Sequence, residues 1–257
     1  MNIKPAASII IPVYNRSKLV LESIKSAQQQ TIENIEIIVI DNASTDGTYE
    51  SCQEHALLDS RVRIFRNDTN IGPVMNWKKG VTYATADFSK LLFSDDLIEP
   101  KYLEKCLPPL PDPSCGLVYT PARISPVPHE GRVFYDSFLG DTKIRKTQFI
   151  YASTFIDGFT PVSPGACICR TNDLNKNIHL DLTGYESPLF ASTGAGVDWL
   201  IYALTALQYE YVQYIDSCEV YFRAHNRNLS SEAGVPECYA NAKRFLVSAL
   251  GMKNTAP

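Results

Sequence analysis

The sequence predicts an α/β protein in which a mostly parallel sheet is flanked by helices and followed by a half of different, irregular texture. Two observations predict it. Over the first hundred residues, short β-branched runs alternate with segments of helical apolar spacing, the pattern of βαβ units. Three of those runs then end in polar clusters: Tyr14-Asn15, Asp41-Asn42 and Ser94-Asp95-Asp96. Right-handed crossovers put such strand ends on one edge, and open α/β sheets bind ligands at that edge.

The elements follow in order. Residues 8–13 (SIIIPV) read as a buried strand, and Ser17 is expected to cap a helix with Val20, Ile24 and Ala27 inward. Residues 36–40 (EIIVI) form the second strand. In the loop DNASTDG that follows, Ser44 or Thr45 is expected to cap a helix carrying Tyr49, Cys52 and Ala56. Residues 62–65 make a third strand, Gly72-Pro73 opens a helix with Val74, Trp77 and Val81 inward, and residues 88–93 make a fourth strand. Pro100 is positioned to open a helix. Prolines 108, 109, 111 and 113 then break the pattern; residues 116–120 read as a strand and 121–150 as irregular, in the manner of a binding loop or lid. Pro164-Gly165-Ala166 precedes a strand at 167–170. Helical spacing returns after Asp198 with Leu200, Leu204 and Leu207. Two strand-like runs, 211–215 and 219–222, lead to a last helix opened by Pro236, with Ala242, Phe245, Leu246 and Ala249 inward. There is no internal repeat.

With 24 Lys and Arg against 28 Asp and Glu, the chain has no field to attract nucleic acid or anionic lipid. Seven scattered cysteines without a CxxC pair argue against a zinc site or disulfide framework and for reduced thiols in a cytoplasmic protein. The apolar run at 6–13 is too short to span a bilayer and contains Pro12. A cytoplasmic location is expected, with a peripheral contact at the inner face of a membrane left open. No G-x-G-x-x-G follows the first strand and no G-x-x-x-x-G-K-[ST] occurs, so backbone cradling of phosphates is not available. If the crevice holds a diphosphate, a metal must replace the glycine loop, and Asp95-Asp96 are its evident holders. By themselves the two aspartates are read equally well as a cap for the helix near Pro100.

SIIIPVYNRS, IIVIDNASTDGT, NIGPVMNW and LLFSDD, in this order and spacing, closely resemble the family 2 glycosyltransferases with the GT-A fold. The resemblance is dense from residue 8 to about residue 100, moderate around Asp198 and thin over 121–150. It implies a GT-A type, Rossmann-like single domain over 1–257. Within it, 1–115 is the nucleotide-sugar-binding half, 116–235 the acceptor-binding half, and 236–257 the C-terminal helix and tail. It further implies a nucleoside-diphosphate sugar donor, a divalent metal (manganese or magnesium) on the diphosphate, inversion at the anomeric carbon, and a glycan or lipid-linked saccharide acceptor. Pro12, Tyr14 and Asn15 match the first donor-loop motif. Asp41 and Asn42 match the base-recognition pair, with Asn42 where Asp is frequent, which leaves uracil, thymine and guanine open. Ser94-Asp95-Asp96 matches the DxD-type motif with Ser first: Asp95 falls at the ribose or metal, Asp96 at the metal. Asp198, in GAGVDW, matches the catalytic base, with Val197 where the family carries Glu; capping the following helix is its other reading. In YFRAHNR, His225 matches a third metal ligand, and Arg223 or Arg227 a clamp on leaving-group charge. Pro164-Gly165-Ala166 is either a wall near the acceptor or a tight turn. Trp77 is expected in the core and Trp199 near the acceptor. Two rivals are a sugar-phosphate nucleotidyltransferase, whose Gly-rich basic loop PVYNRSKL lacks, and a nucleotide-sugar-binding module without transfer activity.

Overall fold

The structure, a computed structural model, describes residues 3–128, 130–161, 163–178, 182, 184–185, 187–224 and 234–251. The first third is β1 (Ala7–Val13), α1 (Leu19–Gln28), β2 (Ile35–Asp41), α2 (Thr48–Ala56), β3 (Val62–Arg66), α3 (Pro73–Thr82) and β4 (Phe88–Leu91). There follow β5 (Leu97–Ile98), α4 (Tyr102–Cys106), β6 (Cys115–Tyr119), β7 (Ala122–Ser125), β8 (Arg132–Phe134), β9 (Thr142–Arg145) and α5 (Lys146–Phe155). A 3-10 turn (Pro164–Ala166) leads to β10 (Cys167–Arg170), α6 (Thr171–Asn177), α7 (Pro188–Thr193), α8 (Val197–Leu207), β11 (Tyr211–Tyr214), β12 (Val220–Arg223) and α9 (Val235–Ala249).

An eight-stranded sheet runs β3-β2-β1-β4-β10-β6-β11-β9. β1 to β4 are parallel; β10 is reversed between β4 and β6, and β9 is reversed at the edge. Every residue of β1 and β2 is buried, which explains their unbroken β-branched runs: a strand covered on both faces has no polar side to alternate with. Ile10 and Ile38 pack on one face with α3, in a core that extends on to α8, and Ile9, Ile11, Ile37 and Val39 on the other with α1. In register, Val13 lies beside Asp41 and Asp41 beside Arg66, so three loops leave the sheet at one height. Pro12 is tolerated inside this sheet because pairing of β1 with β4 stops at Ile10 and Leu91. The side where its missing N–H would point is already free of β4.

Three expectations need correction. Ser17 does not cap α1: the N-cap is Lys18 without a side-chain bond, and the Ser17 N–H instead donates to Asp46 Oδ2 at 3.3 Å. Ser44 and Thr45 do not cap α2, which starts from Gly47 at φ 85°; Asp46 Oδ1 takes the Thr48 N–H, while Ser44 Oγ is diverted to the first loop. Residues 121–150 are not irregular. They hold β7, β8, β9 and the start of α5, and β7 and β8 join β5 and β12 in a second sheet ordered β5-β12-β7-β8. The strands of that stretch are three or four residues long and partly exposed, too short for an alternation to register. Asp95 and Asp96 lie where the chain leaves β4 in the large sheet for β5 in the small one.

Candidate active site

The edge formed by the ends of β1 and β2 is laced by side chains. Asn15, at φ 50°, donates its N–H to Ser44 Oγ (2.9 Å) and accepts the Thr45 N–H on Oδ1 (2.8 Å). The Arg16 N–H donates to Thr48 Oγ1 at 2.9 Å. Asn15 therefore shapes the loop beside Tyr14, which is 44 % exposed at the strand end. Asp41 is fully buried. Its Oδ2 accepts the Ser44 N–H at 3.1 Å and lies 3.3 Å from Arg66 Nε, but Oδ1 has no hydrogen-bond partner among the described residues. A buried carboxylate oxygen without a donor is costly, so this atom fits a donor brought by a ligand.

Asn42 is arranged differently. Its amide donates to Asn70 Oδ1 (2.8 Å) and Gly72 O (3.3 Å), and its carbonyl accepts from Asn67 Nδ2 (2.9 Å) and the Ile71 N–H (3.0 Å). All four hydrogen-bonding positions of the amide are engaged within the fold, which leaves none for a base edge. Asn67 also donates to Asn76 Oδ1, and Asn76 to Ile40 O. This asparagine network fixes the turn before α3 against the end of β2. NIGPVMNW stands out in the sequence as a motif, but no local pattern marks Asn67, Asn70 and Asn76 as members of one network with Asn42.

On the other side of β1, Asp96 is 7 % exposed. Its Oδ1 accepts the Arg223 N–H at 3.1 Å, and its carbonyl accepts Ser23 Oγ at 2.7 Å. Burial, and then the charge of Asp95, hold its carboxyl well above the usual carboxylate range. Asp95 Oδ2 lies 3.5 Å from Arg16 Nη2. Arg223 braces this loop: Nε donates to the Asp95 carbonyl (3.1 Å) and Nη2 to Glu22 Oε2 (2.5 Å). Its guanidinium is thus engaged with α1 and the aspartate loop. His225 and Arg227 lie outside the described residues. Among the described residues, no group of three or more His, Cys, Asp or Glu gathers as a metal-ligand set. Asp95 and Asp96 offer hard oxygen donors of the kind that magnesium or manganese shares with water and phosphate, so the pair fits such an ion as part of its shell.

Asp198 is the second residue of α8, whose N-cap is Gly196 at φ 84° without a side-chain bond, so it is not the capping residue. Oδ1 accepts the Trp199 N–H at 2.7 Å and Oδ2 accepts the Tyr239 hydroxyl, from α9, at 2.8 Å. Burial pushes this carboxyl up to about 7, against the lowering effect of those two bonds. Tyr239, which no motif marks in the sequence, is brought to Asp198 by the docking of α9. Gly194 lets the preceding turn approach α3: a Cβ there would lie 2.2 Å from Trp77 Cη2. Trp77 is in the core, tilted against Phe93 at 5.3 Å. Trp199 is also in the core at 1 % exposure, which overturns its expected place near the acceptor. Pro164–Ala166 is a buried turn, closed by the Gly165 N–H on Ser163 Oγ (3.1 Å).

The fold is that of the GT-A class. S. aureus TarS 1-349, solved in complex with UDP-GlcNAc, superposes with a TM-score of 0.73 at 21 % identity, covering 96 % of this chain and 67 % of that one. The mannosyltransferase PcManGT from Pyrobaculum calidifontis, in complex with GDP-Man and Mn2+, gives 0.56 at 16 % identity, covering 100 % and 78 %. The family described as glycosyl transferase family 2 matches residues 8–170, and the chain belongs to that family. Similar proteins include the glycosyltransferase GlyG of Streptococcus pneumoniae, 31 % identical over 97 residues (38 % of this chain, 32 % of that protein). Chondroitin synthase of Escherichia coli is 38 % identical over 121 residues (46 % and 17 %). The aligned segments span 30 % to 32 % of the length of the first three curated relatives.

Proposed function

We propose that the chain transfers a sugar from a nucleoside diphosphate to a hydroxyl of a glycan or lipid-linked acceptor, with inversion at the anomeric carbon and the help of a divalent cation. The observation that carries this reading is Asp198: a buried carboxyl near neutrality, behind a glycine turn, oriented by two hydrogen bonds. A general base works best when its pKa lies near the operating pH, because it is then ionised yet still a useful proton acceptor. Asp198 takes the proton of the acceptor hydroxyl as that oxygen attacks the anomeric carbon opposite the departing diphosphate. Asp41 Oδ1 receives an N–H of the base; uracil, thymine and guanine each supply one. Asn42 holds the 67–76 segment in place beside it and does not read the base itself. Asp96, with Asp95 and His225, would hold the cation, which supplies charge stabilisation to the leaving diphosphate when bound.

The complexes of TarS with UDP-GlcNAc and of PcManGT with GDP-Man and Mn2+ support a nucleotide-sugar donor and a metal. Among the described residues, no helix is long and apolar enough to cross a membrane. We place the reaction in the cytoplasm, at the inner membrane face where the acceptor is lipid-linked. The pH dependence tests the base. In the wild type, kcat/KM is expected to rise with pH through about 7. The Tyr239 hydroxyl lowers the Asp198 pKa, so Tyr239→Phe is expected to move that limb to higher pH. A limb that stays in place in the variant, or a flat wild-type profile from pH 5 to 8, would remove Asp198 from the role.

A further inference from the structure

We propose that Lys90 is a positioning residue: a buried ammonium that latches the Ser163–Ala166 turn to β4 and so sets the acceptor-side base against the donor-side aspartates. The proposal rests on the transferase reading above. Lys90 lies in the middle of the sheet, paired in register with Ile9, and is fully buried. Its Nζ donates to the carbonyl of Gly165 and lies 4.6 Å from the centre of the Tyr102 ring. The groups that face it are Cys106 and Tyr102 of α4, Cys167 of β10, and Asp96. Removing an ammonium from water is expensive, and a Met of similar length would fill the same space without that cost. Packing therefore does not explain the charge.

The turn it holds touches both halves of the site. Gly165 packs so tightly on Phe222 that a Cβ would meet its ring at 2.6 Å, and the next residue, Arg223, gives its N–H to Asp96. On the other side, the Ser163 carbonyl accepts the hydroxyl of Tyr202 from α8, the helix that carries Asp198 in its first turn. Lys90 is the charged side chain of β4 that reaches this turn. Burial pushes its ammonium down to about 8, so it remains charged at neutral pH.

The test uses Lys90→Met, which removes the donor, and Lys90→Gln, which keeps an N–H. Lys90→Met is expected to melt at the wild-type temperature or higher and to bind nucleoside diphosphate as the wild type does, because the base pocket is built from β1 and β2. Amide exchange of Gly165 and Ala166 is expected to quicken about 10-fold or more as the turn loosens. Turnover is expected to fall about 10-fold or more, as misplacement of reacting groups dictates. Lys90→Gln is expected to recover turn protection and most of the turnover. Wild-type exchange and turnover in Lys90→Met would overturn the proposal, and so would a common loss of folding in both variants, which makes Lys90 a structural necessity only. The exchange readout needs no substrate. A wild type that transfers no sugar would therefore refute the transferase reading while the latch is still measured.

Discussion

Asp198→Asn is expected to lower turnover by about 10²- to 10⁴-fold, the range of a lost general base, while affinity for the donor is retained. The amide has nearly the shape of the carboxyl, keeps an oxygen for the Trp199 N–H and still meets the Tyr239 hydroxyl, so the glycine turn and α8 have no reason to move. What is lost is a group able to take a proton. Stability gives an independent signature. The carboxyl lies near 7 in the folded protein and near 3.8 otherwise, so between these values the native state binds more protons than the unfolded chain. Stability from this group is complete below the lower value and is lost as pH rises through the upper one. Asparagine does not ionise. At pH 8 the variant is expected to be more stable than the wild type by on the order of 2–4 kcal/mol, and at pH 4 equal to it. Steady-state kinetics and thermal melts at the two pH values check both parts, and unchanged turnover would put the proton acceptor elsewhere.

Asp96→Ala is expected to cost at least about 10-fold in donor affinity when manganese is present and little when it is absent. Burial disfavours the charge of Asp96, and the neighbouring charge of Asp95 adds to the cost. A cation held there would reverse that sign, because the same like-charged pair would then supply two favourable ligands. Removing one carboxylate therefore relieves the metal-free protein and weakens the metal-bound one. Arg223 keeps its bonds to the Asp95 carbonyl and to Glu22, so the loop stays braced. Manganese binding followed by electron paramagnetic resonance, with and without UDP, reads the difference. Equal metal affinity in variant and wild type would take Asp96 out of the shell.

The parts of the fold legible in the sequence were those whose physics is local. β1 to β4 and their helices announce themselves because strands buried on both faces need long apolar runs. The short strands of the second sheet gain their stability from pairing across long separations, as β12 does with β5 and β7, and no local pattern records that. The site divides the same way. Asp41, Asp96 and Asp198 follow strands or glycines and stand out. Tyr239 does not, because only the docking of α9 brings it to Asp198 from 41 positions away. Trp199 misled because adjacency in sequence is not adjacency in space: successive residues of a helix point about 100° apart, and Trp199 turns inward to the core. The asparagine network required three segments to meet before Asn42 could be seen to have its amide fully engaged.

The most direct measurement is calorimetric titration of the chain with UDP, GDP and dTDP, with and without manganese, beside Asp41→Ala. Saturable binding of one nucleoside diphosphate is expected, tightened at least about 10-fold by the metal and lost when the unpartnered carboxylate oxygen of Asp41 is removed. Binding of none of the three, or binding indifferent to both manganese and Asp41→Ala, would contradict a metal-assisted donor site at this strand edge.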